Sequence, residues 1–271
     1  MPAIRRRFRY PCADLVTLNP RIDLTLDAAL HRLGATPHRP LLEASDPRRT
    51  IAVIGFPRSG NTFVSKWLEW VAEPGTTVID GRLTHSALDG HRLTKAGAAV
   101  VIPVREPVST CASWLVRSDA YGSVDAARRT LRSYTAWYRA MAPAVRPPNV
   151  LVVDFEALTT DLSMLTHWQR LEGLVRPETA SALPDFEEWL VDHLSDVPGQ
   201  GMPEAGVPAH QMSSLPNDDR LSMNEQATRL ITSLSLAKEL AAASRAFDRI
   251  HECPGTRMTT EGVHAFGHAA S

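Results

Sequence analysis

Two kinds of apolar run alternate along this chain. Short blocks of branched or small apolar residues occupy 51–54, 98–104 and 150–155. Apart from Asp154 near the end of the third, no polar residue interrupts them, so each reads as a strand buried on both faces. A weaker block at 76–79 reads as a further short strand. Between the strands the apolar positions step by three and four, which is the period of a helix with one buried face. Val64, Trp67, Leu68 and Val71 follow this step, with Lys66 and Glu69 on the other face, and Glu73-Pro74-Gly75 ends the helix. Val108, Cys111, Ala112 and Leu115 repeat the stripe behind Pro107, a residue suited to the first helical position. Ser123 caps a longer helix carrying Ala127, Leu131, Tyr134, Tyr138 and Met141, which Pro143, Pro147 and Pro148 end.

The remaining chain is less regular. Thr25 caps a short helix with Leu26, Ala29, Leu30 and Leu33, closed by Gly34, and Pro37, Pro40 and Pro47 mark a connector to the first buried strand. Residues 81–97 are mixed and polar, with two histidines, and read as a loop with room for a helical turn. Helices are expected over 158–171 and 186–194. Residues 196–219 form the longest irregular stretch and are a candidate lid over a bound ligand. Ser222 with Glu225 makes a capping box for a last helix with Ala227, Leu230, Ile231 and Leu234. No period survives beyond Cys253, so the tail 253–271, like the arm 1–20, is expected to be loose. Buried strands alternating with helices predict an α/β three-layer sandwich with a central parallel sheet. A chain of 271 residues fits a single domain, residues 1–271, with a core from about 48 to 250.

Composition narrows the partners. The formal net charge is −1, so no general basicity draws the chain to nucleic acid or to an anionic membrane. Arg5, Arg6, Arg7 and Arg9 look like an export signal, but Pro11, Asp14, Asn19, Pro20, Arg21 and Asp23 break the apolar stretch such a signal needs. They read as a solvated arm. No run nears the roughly 18 apolar residues that span a bilayer. Cys12, Cys111 and Cys253 are odd in number and widely spaced, which suits reduced thiols in a cytoplasmic protein and no metal site.

The first chemistry-bearing stretch follows the first buried strand. Gly55-Phe56-Pro57-Arg58-Ser59-Gly60-Asn61-Thr62 leads straight into a helix, the layout in which backbone N–H groups and the positive helix end gather around an anion. Its glycine spacing mimics a Walker A loop, yet Asn61 stands where the lysine belongs and the cation is Arg58, inside the loop. The shape therefore suits a phosphate-bearing ligand other than ATP. A second stretch, Arg105-Glu106-Pro107 with Ser113 eight residues after the arginine, ends the next buried strand. An arginine fork and a serine hydroxyl can hold a phosphate there. Ligands of parallel sheets bind beyond the carboxyl ends of the strands, where both turns lie.

These motifs resemble a family. Pro57-Arg58-Ser59-Gly60-Asn61-Thr62-Phe63 is similar to the 5′-phosphosulfate loop of sulfotransferases that use 3′-phosphoadenylyl sulfate (PAPS). Residues 101–107 with Ser113 resemble their 3′-phosphate motif, and residues 151–158 resemble the strand they carry as Tyr-Glu-Asp-Leu. The likeness spans roughly residues 50–172. It implies a P-loop-containing nucleotide-hydrolase-like fold, PAPS as co-substrate and 3′-phosphoadenosine 5′-phosphate (PAP) as product. It implies in-line transfer to a small-molecule hydroxyl, less readily to an amine, with no metal. Arg58 and the backbone of Ser59, Gly60, Asn61 and Thr62 would hold the phosphosulfate, Arg105 and Ser113 the 3′-phosphate, and Phe63 would stack on adenine. The family's Thr-His pair corresponds to Thr84-His85, making His85 the implied general base. His91, Asp80 and Asp89 are its rivals. The family's lysine before that pair is absent here, with Leu83 in its place. Phe155 replaces a tyrosine. The C-terminal basic element is not recognisable, though Arg220, Ser213 or Ser214 could stand in for it. A small-molecule kinase, with Asp154 as metal carboxylate, and an inactive PAPS- or PAP-binding module remain as other readings.

Overall fold

Strands with nearly every residue buried set the frame. The structure is a computed structural model that describes residues 46–79, 87–146, 148–176, 186, 218–253, 256–259 and 262–265. In chain order the strands are β1 (Thr50–Val53), β2 (Thr77–Ile79), β3 (Ala99–Val104), β4 (Val150–Asp154), β5 (Thr256–Thr259) and β6 (Gly262–Ala265). They form one sheet in the order β2-β1-β3-β4-β5-β6. Every neighbouring pair is parallel except β5 with β6, which is antiparallel.

The unbroken apolar runs divide between the two faces with the period of two that a strand imposes. Ala52, Val100, Ile102, Val104, Val150 and Val152 face one core, and Ile51, Val53, Ala99, Val101, Leu151 and Val153 the other. The helices are α1 (Asn61–Val71), α2 (Ala87–Ala96), α3 (Pro107–Arg117), α4 (Val124–Met141), α5 (Phe155–Thr160), α6 (Asp218–Ile231) and α7 (Ala237–His251). Leu93, Leu115, Leu131, Trp137, Ile231 and Ile250 close the first face from α2, α3, α4, α6 and α7. Val64, Trp67, Leu68 and Val71 of α1 close the second, joined by Leu158, Leu162, Leu165 and Leu171. Helices, sheet and helices give three layers, as the alternation of runs predicts. Cys111 lies fully buried in the first core, and burial pushes its thiol well above its ordinary range, so it is an inert packing group.

Five expectations are corrected. Within residues 81–97, more than the helical turn allowed for is found, because α2 runs from Ala87 to Ala96. Its Gly90 hid the helix, and the glycine is there for contact: a Cβ would come within 2.6 Å of Met141 Cε. The helix expected over 158–171 is instead the short α5 and two 3-10 turns, Leu162–His167 and Gln169–Leu171, because Asp161 is extended at φ −153°. Ser222 caps nothing, since α6 already begins at Asp218 and continues to Ile231. Leu234, expected on that helix's apolar stripe, is 95% exposed, and α7 follows it. The tail beyond Cys253 contributes β5 and β6 to the sheet. The arginine arm, the helix from Thr25, the stretch 196–217 and the helix over 186–194, apart from a buried Phe186, lie outside the described residues. Among the described residues no helix is long and apolar enough to cross a membrane.

Candidate functional site

The strand order places a switch point between β1 and β3. The chain leaving β1 goes on to β2 on one side, and the chain leaving β3 goes on to β4 on the other. The connections diverge, and a crevice opens beyond the two carboxyl ends, where ligands of such sheets bind. Both sequence motifs end there.

The loop after β1 is built tightly. Ile54 N–H extends the pairing by donating to Val101 O at 2.9 Å. The chain then folds on itself, with Ser59 N–H donating to Phe56 O at 3.2 Å and the buried Ser59 hydroxyl donating to the same carbonyl. Arg58 and Gly60 both adopt left-handed backbone, at φ 73° and 93°. Glycine is required at position 60 on two counts, since a Cβ would also meet Phe155 Cδ2 at 2.4 Å. Gly55 is a close approach as well: a Cβ there would lie 2.2 Å from Asn61 Oδ1 and 2.9 Å from Pro103 O.

Asn61 occupies the Walker lysine position but turns inward. Its Nδ2 donates to Gly55 O at 2.9 Å and to Phe56 O at 3.1 Å, and the residue is 4% exposed. It closes the loop and does not reach toward a ligand. Helix α1 starts with Gly60 as N-cap and no side-chain cap, and its first helical bond runs from Val64 N–H to Gly60 O at 3.1 Å. The amides of residues 60–63 therefore have no intrahelical acceptor and sit at the positive end of the helix. The Ser59 amide, in contrast, already has Phe56 as its acceptor.

Two arginines flank this cradle. Arg58 Nε donates to Ser113 Oγ, presented by α3, at 2.9 Å. Burial, and after it the positive charges of Arg220, Arg117 and Arg105, pull the Arg58 pKa down to about 10. Arg105 follows β3 and is anchored through its carbonyl, which accepts from Tyr134 Oη at 2.7 Å and from Thr110 Oγ1 at 3.2 Å. Its Cζ lies 4.7 Å from the centre of the Phe155 ring. Its Nε is a buried donor with no hydrogen-bond partner. Burial lowers the Arg105 pKa, against the opposing pull of Glu156 and Glu106. Glu106 itself takes the Ser109 hydroxyl.

The structure thus brings Arg58, Gly60, Asn61, Thr62, Arg105 and Ser113 to one edge of the sheet. It pairs Ser113 with Arg58, although the sequence motifs assign those two to opposite ends of a ligand. Phe63 sits beside this edge with its ring edge-on to Phe186, centroids 5.8 Å apart. His85, Asp80, Ser213 and Ser214 lie outside the described residues. Of the rival bases, His91 has Nε2 2.7 Å from Ala140 O and ties α2 to the end of α4. Asp89 lies 3.6 Å from Arg92 on its own helix. Asp154 Oδ1 lies 3.3 Å from His251 Nε2 on α7. Among the described residues no cluster could hold a metal ion.

One residue at this edge, Arg117, escaped the sequence reading, and two were named there in other terms, Phe155 as the replacement of a tyrosine and Arg220 as a possible substitute. Phe155 forms a floor beneath Arg105 and against Gly60; its place at the end of the β4 run was the available signal. Arg117 stands four residues after Ser113 on α3, so the helical period could have found it. Arg220, the possible substitute, is 4% exposed on α6 and close enough to act on Arg58, and no local pattern announces that. Compared with family models, curated proteins and solved structures, the chain gives no match.

Proposed function

We propose that the protein is a sulfotransferase that moves a sulfuryl group from PAPS to a hydroxyl, less readily an amine, of a small-molecule acceptor. One observation carries this reading. At two adjacent strand ends, Arg58 and Arg105 lie half-buried with no salt bridge among the described residues, Glu156 and Glu106 acting on Arg105 only as nearby charges, while the would-be Walker lysine is an asparagine turned into its own loop. Half-buried guanidinium groups without a salt bridge favour anionic oxygens as partners. Their separation on two turns favours a ligand with two phosphate groups, and the inward Asn61 disfavours a bound triphosphate.

The residues fit such a ligand. The Arg105 Nε is an orphaned donor suited to a second phosphate, and the Gly60 position admits no side chain that would fill the cradle. When bound, PAPS supplies a sulfuryl group already joined to a phosphate able to leave. Arg58 and the amides of Gly60, Asn61 and Thr62 hold the phosphosulfate oxygens, so that charge developing on the leaving phosphate meets fixed donors. Arg105 and Ser113 hold the 3′-phosphate and set the nucleotide's register. A histidine nitrogen of His85 takes the acceptor proton as the new bond forms. A kinase reading loses support because Asp154, its candidate metal carboxylate, is paired with His251.

Incubation of the protein with PAPS and a panel of hydroxyl and amine acceptors, read by mass spectrometry, should give a sulfated product and PAP. PAP alone should raise the melting temperature. Stabilisation by ATP with Mg²⁺ and none by PAP overturns the reading. In a His85→Ala variant, turnover should fall by at least about 10² while PAP binding persists. Unchanged turnover removes His85 from the role of base.

A further inference from the structure

Helix α4 carries no residue of either motif, yet one of its side chains touches both turns. Tyr134 is fully buried. On one side its Oη donates to Arg105 O at 2.7 Å, alongside the Thr110 hydroxyl of α3 at 3.2 Å. On the other its ring stands edge-on to Phe56, centroids 5.1 Å apart. Phe56 is the hub of the first turn, because its carbonyl accepts from Ser59 N–H, from the Ser59 hydroxyl and from Asn61 Nδ2. A chain of contacts therefore runs from the cradle at Gly60, through Phe56 and Tyr134, to the backbone that carries Arg105. Burial pushes the Tyr134 phenol well above its ordinary range, so the hydroxyl stays a donor at every ordinary pH.

A link of this kind governs spacing more than grip. A ligand with one anionic group can sit against either turn and is indifferent to the distance between them. A ligand with two anionic groups must match that distance, and a misplacement of about 1 Å is enough to spoil one set of bonds. A buried tyrosine ring, with few torsions and one fixed hydroxyl bond, is a stiff spacer. We infer that Tyr134 is a positioning residue: it fixes the separation of the Gly60 cradle and the Arg105 turn, and so selects among ligands whose two anionic groups are differently spaced. That these ligands are bisphosphate nucleotides rests on the donor reading above; the tie between the turns does not.

Tyr134→Phe keeps the ring and removes only the hydroxyl. Calorimetric titration with PAP and with its positional isomer adenosine 2′,5′-bisphosphate reads the spacing. The wild-type protein should favour PAP by about 10-fold, and Tyr134→Phe should cut that preference by about 3- to 10-fold. A purely structural role would lower the melting temperature and leave the preference intact. That result, or equal binding of the two isomers by the wild type, overturns the inference. Hydrogen exchange of the ligand-free protein reads the tie without any nucleotide. Tyr134→Phe should speed exchange about 3- to 10-fold in both 55–62 and 105–110 and leave 150–153 unchanged. Faster exchange at 105–110 alone would make Tyr134 the anchor of one turn and overturn the inference. If the wild type binds neither isomer, the donor reading falls and the exchange result alone decides whether Tyr134 ties the turns. Should Tyr134→Phe fail to fold, Phe56→Leu breaks the same link from the loop side and is read the same way, with faster exchange expected at 105–110, a turn to which it does not belong.

Discussion

At the scale of single residues, the loop differs from a triphosphate cradle because of where two side chains point. Asn61 donates inward to two loop carbonyls, and Arg58 runs outward to Ser113. The charge at Arg58 is held at a cost. Its folded pKa, about 10, is below that of the free side chain, so the folded protein releases that proton first. Stability therefore rises with pH only above about pH 10, where the unfolded chain binds more protons; below that the cost is constant. Arg58→Met should accordingly stabilise the anion-free protein by about 1–4 kcal/mol. The gain should be equal at pH 6 and pH 9 by urea unfolding, and a less stable variant would show that Arg58 is held by compensating contacts. Arg105 is tested by ligand choice. Arg105→Ala should weaken PAP by about 10- to 100-fold and adenosine 5′-phosphosulfate, which lacks the 3′-phosphate, by much less. Equal weakening of both contradicts its assignment to that phosphate.

At the scale of elements, what the sequence made legible depended on whether local pattern and tertiary role agreed. Strands β1, β3 and β4 were legible because burial on both faces demands unbroken apolar runs. α1, α3 and α4 were legible because each buries one clean stripe. α2 was not, since Gly90 lies against Met141 and reads locally as a breaker. The capping signals show the same division. Ser123 is a true N-cap, its hydroxyl oxygen accepting from Ala126 N–H at 3.2 Å. Ser222 carries an equally good local signature but sits exposed inside α6. Ser123→Ala should cost about 0.5–2 kcal/mol, and Ser222→Ala should be within about 0.5 kcal/mol of neutral. Matched chemical denaturation of the two variants checks this, and a large loss at Ser222 would place the helix start where the capping box suggests. The site followed the same rule. Its loop was readable from glycine spacing, whereas Arg220 joins Arg58 only through the docking of α6, which no local pattern encodes.

At the scale of the whole molecule, the chain end changes the architecture most. Without β5 and β6, β4 would be the last strand of the sheet and present a row of unpaired N–H and C=O groups beside the candidate site. β5 covers that row in parallel register, Leu151 opposite Thr256, Val152 opposite Arg257 and Val153 opposite Met258. β6 then caps the sheet with an antiparallel turn back, Thr256 opposite Ala265. The same edge of β4 ends in Asp154, which meets His251 of α7, so the last helix and the last two strands brace one side of the sheet. An exposed, flat strand as apolar as β4 is a template for pairing with another copy. A chain stopped after Cys253 should therefore melt several degrees lower, as a loss of about 1–2 kcal/mol produces in a domain of this size. It should also associate as its concentration rises. Sedimentation velocity and thermal melting of the shortened and full chains test both outcomes together. A monomeric short form with an unchanged melting temperature would mean that the sheet ends at β4 and that the final strands add nothing to the fold.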